Sequence, residues 1–376
     1  MRKAFKYRLY PSEKQDEKLS ETLRLCRHLY NAALQERKEA WEKNRISISF
    51  KGQSNQLPVI KIDCPEYEGV YSQVSQDVLH RADKAFKAFF RRLKRGEEKP
   101  GYPRFKSRDR YDSFIYPQTG FMVQDNRLQL SKIGSIKIKL HRPVEGYIKT
   151  LNIKREAGKW YAVFSVIAEP KPLPHSDKAV GIDMGLESFL VTSDEEFVDN
   201  PRFLRTAEDK LAEAQRTMDR RKKGGKRRAK AKRIVSVCHA RIRNARLDFH
   251  HKIARNLVNT YGFIALEDLN IKGMVKNHCL AKSISDAGWG QFISIVQAKA
   301  EEAGREVVLV NPRNTSQICS GCGALVKKDL SMRWHDCPAC DLSVHRDINS
   351  SRNTLALGLS VRGSTPRSPR PRSINS

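Results

Sequence analysis

The chain has 376 residues, with 71 Lys+Arg against 42 Asp+Glu and a formal net charge of +29. No apolar run reaches the roughly 18–20 residues that span a bilayer, and the charged start Met1-Arg-Lys-Ala-Phe5 lacks an apolar signal core. Neither export nor membrane spanning is therefore expected, a cytoplasmic location is, and so large an imbalance calls for a polyanion, best a nucleic acid.

Residues 3–10 alternate Phe5, Tyr7 and Leu9 with Lys6 and Arg8, the period of a half-exposed strand. Pro11 ends it, and Ser12 with Gln15 resembles a capping box. The long helix that follows carries Leu19, Leu23, Cys26, Tyr30 and Ala33 on one face. Polar residues, Gly and Pro over 44–69 read as a loop. A second helix is predicted over 72–94, with Val74, Val78, Ala82, Ala85, Phe89 and Leu93 as its core face and Arg81, Lys84, Lys87, Arg91, Arg92 and Lys94 opposite. Over 114–168 short strands take over, at 121–123, 127–130, 135–140, 147–154 and 160–167. Asp125-Asn126 and Ala157-Gly158 are their turns. The first strand can join this β region, leaving the helices as an insertion, and the Pro-rich stretch 169–174 marks a domain boundary.

Beyond that boundary, the short apolar strand Val180-Gly-Ile-Asp-Met-Gly185 carries Asp183. Strands are predicted at 189–192 and 196–198, helices over 203–223 and 228–259, and a strand over 263–267 ending in Glu267. A helix over 285–303 leads to a strand at 307–310. The last helix, over 347–357, begins at Asp347. Residues 361–376 hold four Arg and no acid, a composition that predicts disorder.

Two chemistries stand out. Cys319-x2-Cys322-x14-Cys337-x2-Cys340 offers two CxxC hooks, enough thiolates to close one tetrahedral Zn²⁺ site of structural type. A redox pair is the other reading, although one CxxC would serve for that. The second is a set of acids. Asp183 and Glu267 sit in or at the ends of apolar strands, where an unpaired carboxylate is costly. With Asp347 they can hold two Mg²⁺ or Mn²⁺ ions, which prefer hard oxygen ligands. Singly, each acid also has a plain structural reading: a turn, an Arg partner, a helix cap. Residues 216–246 hold 14 Lys+Arg against one acid, Asp219. Arg220, Arg221, Lys222, Lys223, Lys226, Arg227 and Arg228 look like a hinge between helices, able to follow phosphates; a solvated helix face is the other reading.

The order strand-Asp, two strands, helix, strand-Glu, helix, strand, helix-Asp is that of a ribonuclease-H-like nuclease core. The motifs Phe5-Lys-Tyr-Arg-Leu-Tyr-Pro11, Gly101-Tyr-Pro-Arg-Phe105, Gly181-Ile-Asp-Met-Gly185, Leu266-Glu-Asp-Leu-Asn270, Ser283-Ile-Ser-Asp-Ala-Gly-Trp-Gly290, Thr315-Ser-Gln-Ile-Cys-Ser-Gly-Cys-Gly323 and His345-Arg-Asp-Ile-Asn349 resemble those of the TnpB family, OrfB-type proteins of insertion sequences related to type V CRISPR effectors. The resemblance covers roughly residues 1–358. It implies an RNA-guided DNA endonuclease that binds a guide RNA from the transposon end and cuts double-stranded DNA beside a short transposon-adjacent motif.

The resemblance also implies a multidomain α+β architecture. A wedge β-barrel (1–11 and 110–170) carries an inserted helical recognition lobe (12–109). A RuvC/ribonuclease-H-like nuclease domain (175–311 and 345–358) follows, with an inserted zinc ribbon that binds target nucleic acid (312–344). A disordered basic tail (359–376) closes the chain. Asp183, Glu267 and Asp347 become the catalytic magnesium ligands; Glu267 is preferred over its neighbour Asp268, and the four cysteines hold zinc. Gln76, with Ser72 and Gln73, aligns with the helix that reads the adjacent motif, amides suiting adenine edges. Arg81, Lys84, Arg91 and Arg104 are further contact candidates, and Tyr102, Phe105 and Tyr111 can stack on bases. The family often has Ala after the last motif, where this chain has Ser350-Ser351; both are small, so close packing should survive. A monomeric protein within the complex is expected. Two rivals are a guided repressor that does not cut, disfavoured by the intact acids, and a strand-transferring transposase, disfavoured because His250-His251 lack the spacing of an HUH motif.

Overall fold

The computed structural model describes residues 1–329 and 331–364. The chain divides into two compact units, Met1–Glu169 and Pro170–Ser376, at the Pro-rich stretch. In the first unit β1 (Arg2–Tyr10) buries Phe5, Tyr7 and Leu9 while Lys6 stays exposed. α1 (Glu13–Asn44) starts with the full capping box: the Gln15 N–H donates to Ser12 Oγ, and the Ser12 N–H to Gln15 Oε1. All five residues of its predicted apolar face are buried. The stretch expected to be a loop instead holds α2 (Phe50–Asn55), α3 (Leu57–Asp63) and a 3₁₀ turn (Pro65–Gly69). Tertiary contacts order it: Gln53 is buried, accepting from Arg37 Nε at 2.8 Å and donating to the Ala33 carbonyl at 3.0 Å.

α4 (Ser72–Lys94) buries Val74, Val78, Leu79, Ala82 and Phe86. The buried stripe ends at Phe86, and beyond it Phe90 and Leu93, the latter predicted on the core face, are both exposed. β2 (Ser113–Tyr116), β3 (Phe121–Gln124), β4 (Arg127–Leu130), β5 (Gly134–Lys139), β6 (Tyr147–Glu156) and β7 (Lys159–Ile167) join β1 in a seven-stranded sheet of order β2-β6-β7-β1-β5-β4-β3. Every ladder in it is antiparallel. Both predicted turns have paired positive φ angles, 49° and 56° at Asp125 and Asn126, 48° and 74° at Ala157 and Gly158, the geometry that matches strand twist in two-residue hairpins. The expected barrel is not closed: β2 and β3 are the outer strands, and no ladder joins them among the described residues.

The second unit opens with β8 (Ala179–Asp183), β9 (Ser188–Thr192) and β10 (Phe197–Asp199). α5 (Phe203–Thr206), α6 (Glu208–Asp219) and α7 (Lys226–Thr260) follow, then β11 (Phe263–Glu267), α8 (Ile271–Met274), α9 (Ala281–Ala287), α10 (Trp289–Ala303) and β12 (Glu306–Val310). The sheet order is β10-β9-β8-β11-β12, with β11 parallel to both β8 and β12 and the other ladders antiparallel. Val180, Ile182 and Leu266 form its core with Ala254, Leu257, Phe292 and Val296 of α7 and α10. The single helix expected over 285–303 begins earlier and is split at Gly288 (φ 68°). A Cβ there would sit 3.1 Å from Arg246 Cδ, so both backbone and space favour glycine.

A hairpin of β13 (Trp334–Asp336) and β14 (Ser343–His345) precedes α11 (Arg346–Ser364). α11 lies so close to β8 that a Cβ on Gly181 would fall 2.0 Å from the Ser351 carbonyl oxygen. Buried Ser350 and Ser351 keep that contact tight, as expected of small residues there. The helix continues through residues 359–364, which the tail was expected to contain; residues 365–376 lie outside the described residues. No helix among the described residues is long and apolar enough to cross a membrane.

Candidate active site and thiol centre

Asp183 ends β8 and Glu267 ends β11. These strands are parallel neighbours with Leu266 opposite Ile182, so both acids emerge at the same end of the sheet. Asp347 stands in the first turn of α11, the helix that covers β8. The electrostatics record the convergence. Burial, then the charge of Asp347, pushes Asp183 up to about 7, against the pull of the Ser350 hydroxyl and Arg346. Burial, then Asp183, pushes Glu267 up to about 8; the Thr315 hydroxyl, donating to Glu267 Oε1 at 2.9 Å, offsets part of this, and Asp347 adds to it. The Ser350 hydroxyl is buried beside Asp183 yet has no hydrogen-bond partner of ordinary geometry.

Like charges crowded together in a largely buried site, with the Ser350 hydroxyl beside Asp183, form a donor set that fits hard divalent cations such as Mg²⁺ or Mn²⁺. The neighbouring Asp268 is exposed, its backbone N–H donating to the Val310 carbonyl at 2.8 Å. It takes no part in this cluster.

The cysteines are packed more tightly. Their four sulfur atoms lie within 4.8 Å of one another, with Cys319 and Cys340 at 3.6 Å and Cys322 and Cys337 at 3.6 Å. A disulfide requires about 2.05 Å, whereas a tetrahedron with arms of about 2.3 Å has edges of about 3.8 Å. The arrangement therefore fits a tetrahedral metal and not a redox pair. Each CxxC hook closes the same way: the Gly323 N–H donates to the Cys319 carbonyl at 2.9 Å, and the Asp341 N–H to the Cys337 carbonyl at 3.0 Å. Gly323 and Asp341 both have positive φ. Burial acts to raise the Cys319 thiol, but backbone N–H groups of Cys322 and Gly321 outweigh it with their neighbours and hold it down at about 6. That is a thiol ready to bind metal as thiolate.

The nucleic-acid candidates divide by exposure. Arg220, Arg221, Lys222 and Lys223 are exposed in the turn between α6 and α7, and Lys226 and Arg227 are exposed at the start of α7. Arg228 instead turns inward, donating to the carbonyls of Met218 at 2.7 Å and Arg221 at 3.0 Å and pairing with Asp219 at 3.3 Å. On α4, Gln76 and Lys84 are exposed, as are Arg91 near its end and Arg104 in the following loop. Arg81 is engaged internally, with Asp77 at 2.8 Å and the Ser113 carbonyl at 2.8 Å. Ser72 accepts from Lys61 and Gln73 from the Thr119 N–H. Tyr102 and Phe105 are exposed, while Tyr111 belongs to the core. His250 is buried among Phe189, Phe249 and Phe292 and contacts the Ala287 carbonyl at 3.0 Å, a packing role.

Some contacts escape sequence reasoning. Thr315 on Glu267 has no local signature. Asp286, which binds Arg246 at 2.6 Å and accepts the Leu204 N–H at 2.8 Å, is signalled only by its place in an apolar run.

The fold is a mixed α/β multidomain one with solved likenesses. It is similar to Cas12f1 in a complex with single-guide RNA and target DNA, at TM-score 0.58 and 14% identity over 94% of this chain and 98% of that one. A second likeness is to a mini-RNA-guided endonuclease of the Cas-phi type, at TM-score 0.52 and 10% identity over 96% and 92%. A family of OrfB/IS605 type described as a probable transposase matches residues 163–278, and the TNB domain of Cas12f1-like proteins matches 289–354. A helix-turn-helix domain matches 1–45, although here those residues form one strand and one long helix. A candidate RNA-guided DNA endonuclease of Streptomyces pristinaespiralis is 35% identical over 96% of this chain and 90% of its own length. InsQ of Escherichia coli K12, named in the same terms, is 29% identical over 95% and 92%. The chain belongs to the TnpB family.

Proposed function

We infer that the protein is an RNA-guided DNA endonuclease of an insertion sequence. It binds a guide RNA from the transposon end and hydrolyses double-stranded DNA beside a short transposon-adjacent motif. The observation that carries this reading is the approach of Asp183, Glu267 and Asp347 at one end of the second sheet, where Asp347 raises both Asp183 and Glu267 and Asp183 raises Glu267. The strand order, with the first acid on the central strand β8 and the second on its parallel neighbour, supports a ribonuclease-H-like core. In this reading the three acids hold Mg²⁺, and the four cysteines hold one structural Zn²⁺ within a target-binding ribbon over 312–344. Divalent cations there would activate a water and stabilise the departing oxygen.

The chain's own residues supply the rest. Asp183, Glu267 and Asp347 gather negative charge where cations are to be held, while the packing of α11 on β8 fixes their spacing. The exposed basic turn between α6 and α7 follows phosphates without reading sequence, which base pairing with the guide supplies. Exposed Gln76 on α4 is placed to meet base edges of the adjacent motif. Residues 12–109 act as the recognition lobe and the seven-stranded sheet as the wedge. The protein works as a monomer with its RNA, in the cytoplasm. Intact, convergent acids favour cutting over guided repression.

The test is to express the protein with its native downstream flanking DNA, sequence the RNA that co-purifies, and challenge the complex with a plasmid matching that guide. A discrete RNA and Mg²⁺-dependent linearisation are expected. Heterogeneous RNA, or binding without cutting by the unaltered chain, would sink the reading.

A further inference from the structure

α11 works on two faces at once. Ser351 and Leu355 press on β8 at Gly181, and Ser350 stands beside Asp183. Asn349 and Asn353, one helical turn apart, serve the thiol module instead. Asn349 Nδ2 donates to the Ile318 carbonyl at 2.7 Å, and Asn349 Oδ1 accepts the Ser320 N–H at 2.8 Å. Asn353 Nδ2 donates to the Thr315 carbonyl at 2.8 Å and to the Ile318 carbonyl at 2.6 Å. Both amides are buried, so these bonds form with little competition from water. Segment 315–320 thus hangs from the helix that carries Asp347. The same segment holds Cys319, the first thiol, and Thr315, whose hydroxyl is shared between Glu267 Oε1 at 2.9 Å and the Pro312 carbonyl at 3.1 Å.

We propose that Thr315 is a positioning residue for Glu267, and that Asn349 and Asn353 make correct seating of the thiol module a condition for presenting that carboxylate. The inference rests on the reading of Glu267 as a metal ligand. The physical reason is plain. A strand-end glutamate has free side-chain torsions, and a hydrogen bond to one oxygen fixes which lone pairs remain for a cation. Thr315 supplies that bond, its backbone is pinned by Asn353, and the pin lies four residues from the first zinc-type ligand. A thiol module that loses its shape releases Thr315 and, with it, Glu267.

The experiment is a Mn²⁺ titration of the full chain with its co-expressed RNA, followed by the paramagnetic signal of free Mn²⁺. It compares the unaltered protein with Thr315→Val, Thr315→Ser, Asn353→Ala and Asp183→Ala, with zinc content and thermal midpoint recorded for each. Thr315→Val should weaken the Asp183-dependent Mn²⁺ site by about 10- to 100-fold, the range when a metal ligand is deprived of its hydrogen-bond partner, with zinc content unchanged. Thr315→Ser should recover most of the affinity, and Asn353→Ala should fall between. A Val variant that binds Mn²⁺ like the unaltered protein, or a Ser variant as impaired as Val, overturns the proposal. So does the absence of an Asp183-dependent site. An unaltered protein that binds Mn²⁺ there but leaves target DNA intact removes the nuclease reading and leaves the positioning role standing.

Discussion

The second unit carries two candidate ligand sets made from opposite materials. The four thiols come from two short hooks close together in the chain and lie within 4.8 Å of one another. The three acids come from β8, β11 and the start of α11, and among the described residues they form no group as tight. Backbone N–H groups offset burial at Cys319, whereas the carboxylates of Asp183 and Glu267 are penalised by burial and by neighbouring acids. One set is a local staple; the other is a product of the whole fold. The two should therefore fail differently.

Asp347→Ala gives the largest expected effect. Removing one acid should lower the cleavage rate by on the order of 10³-fold or more, since metal-assisted charge stabilisation supplies several kcal/mol. Target binding should persist, because the exposed basic residues proposed to meet phosphates lie elsewhere in the chain. Measuring guide-dependent DNA binding beside single-turnover cleavage checks this, and parallel loss of both would contradict the division. Cys337→Ser should do the reverse. Buried Cys337 is one corner of the thiol cluster, so zinc should be lost and the order of residues 312–344 with it, since structural zinc sites fold with their metal. A full equivalent of zinc retained in that variant would show that the staple is not needed.

pH separates the two sets further. Without metal, Asp183 and Glu267 keep their protons to about 7 and about 8, burial being the main cause, while an unfolded chain releases them near ~4. The folded state thus holds more protons between these values, and stability should fall as pH rises from about 4 to about 8. At about 1.4 kcal/mol per pKa unit, the loss runs to several kcal/mol. Thermal midpoints in chelator from about pH 5 to about pH 8.5 should decline, Asp183→Asn should flatten the slope, and added Mg²⁺ should reverse it. An equal slope in Asp183→Asn would locate the proton uptake elsewhere.

How far the sequence could be read follows the same contrast. The thiol hooks were legible from spacing alone, because both ends of each hook lie in one turn. Asp183 and Glu267 were legible as strand-borne acids and Asp347 as the start of a helix, but their meeting was not: it depends on β11 lying beside β8 and α11 lying on Gly181, contacts between segments far apart in the chain. Residues whose partners are tertiary were read least well. Gln53 orders what composition presents as a loop, and Thr315 reaches Glu267 with nothing nearby to announce it. In the β region the five strands from 121 to 167 were read from alternation and turns, while β2 (Ser113–Tyr116) was not singled out; closure depends on what the outer strands β2 and β3 meet, and they do not pair with each other.

The basic turn repeats the contrast at smaller scale, since inward and outward residues there share one composition. Lys222 and Lys223 are exposed, but Arg228 is engaged with the carbonyls of Met218 and Arg221 and with Asp219. Replacing Lys222 and Lys223 by Ala should leave the thermal midpoint nearly unchanged and weaken nucleic-acid binding a few-fold. The slope of log affinity against log salt should shrink by about one for each phosphate that is no longer neutralised. Arg228→Ala should do the opposite. It removes the anchor that ties the α6 end to the turn, costing about 1 kcal/mol for bonds to partly exposed carbonyls, with little change in slope. Salt titrations of RNA binding beside thermal melts distinguish the two. An unchanged slope in the Lys222/Lys223 variant would make this turn a solvated surface and move the search for the phosphate path to other exposed cations, such as Lys84 and Arg91 of α4.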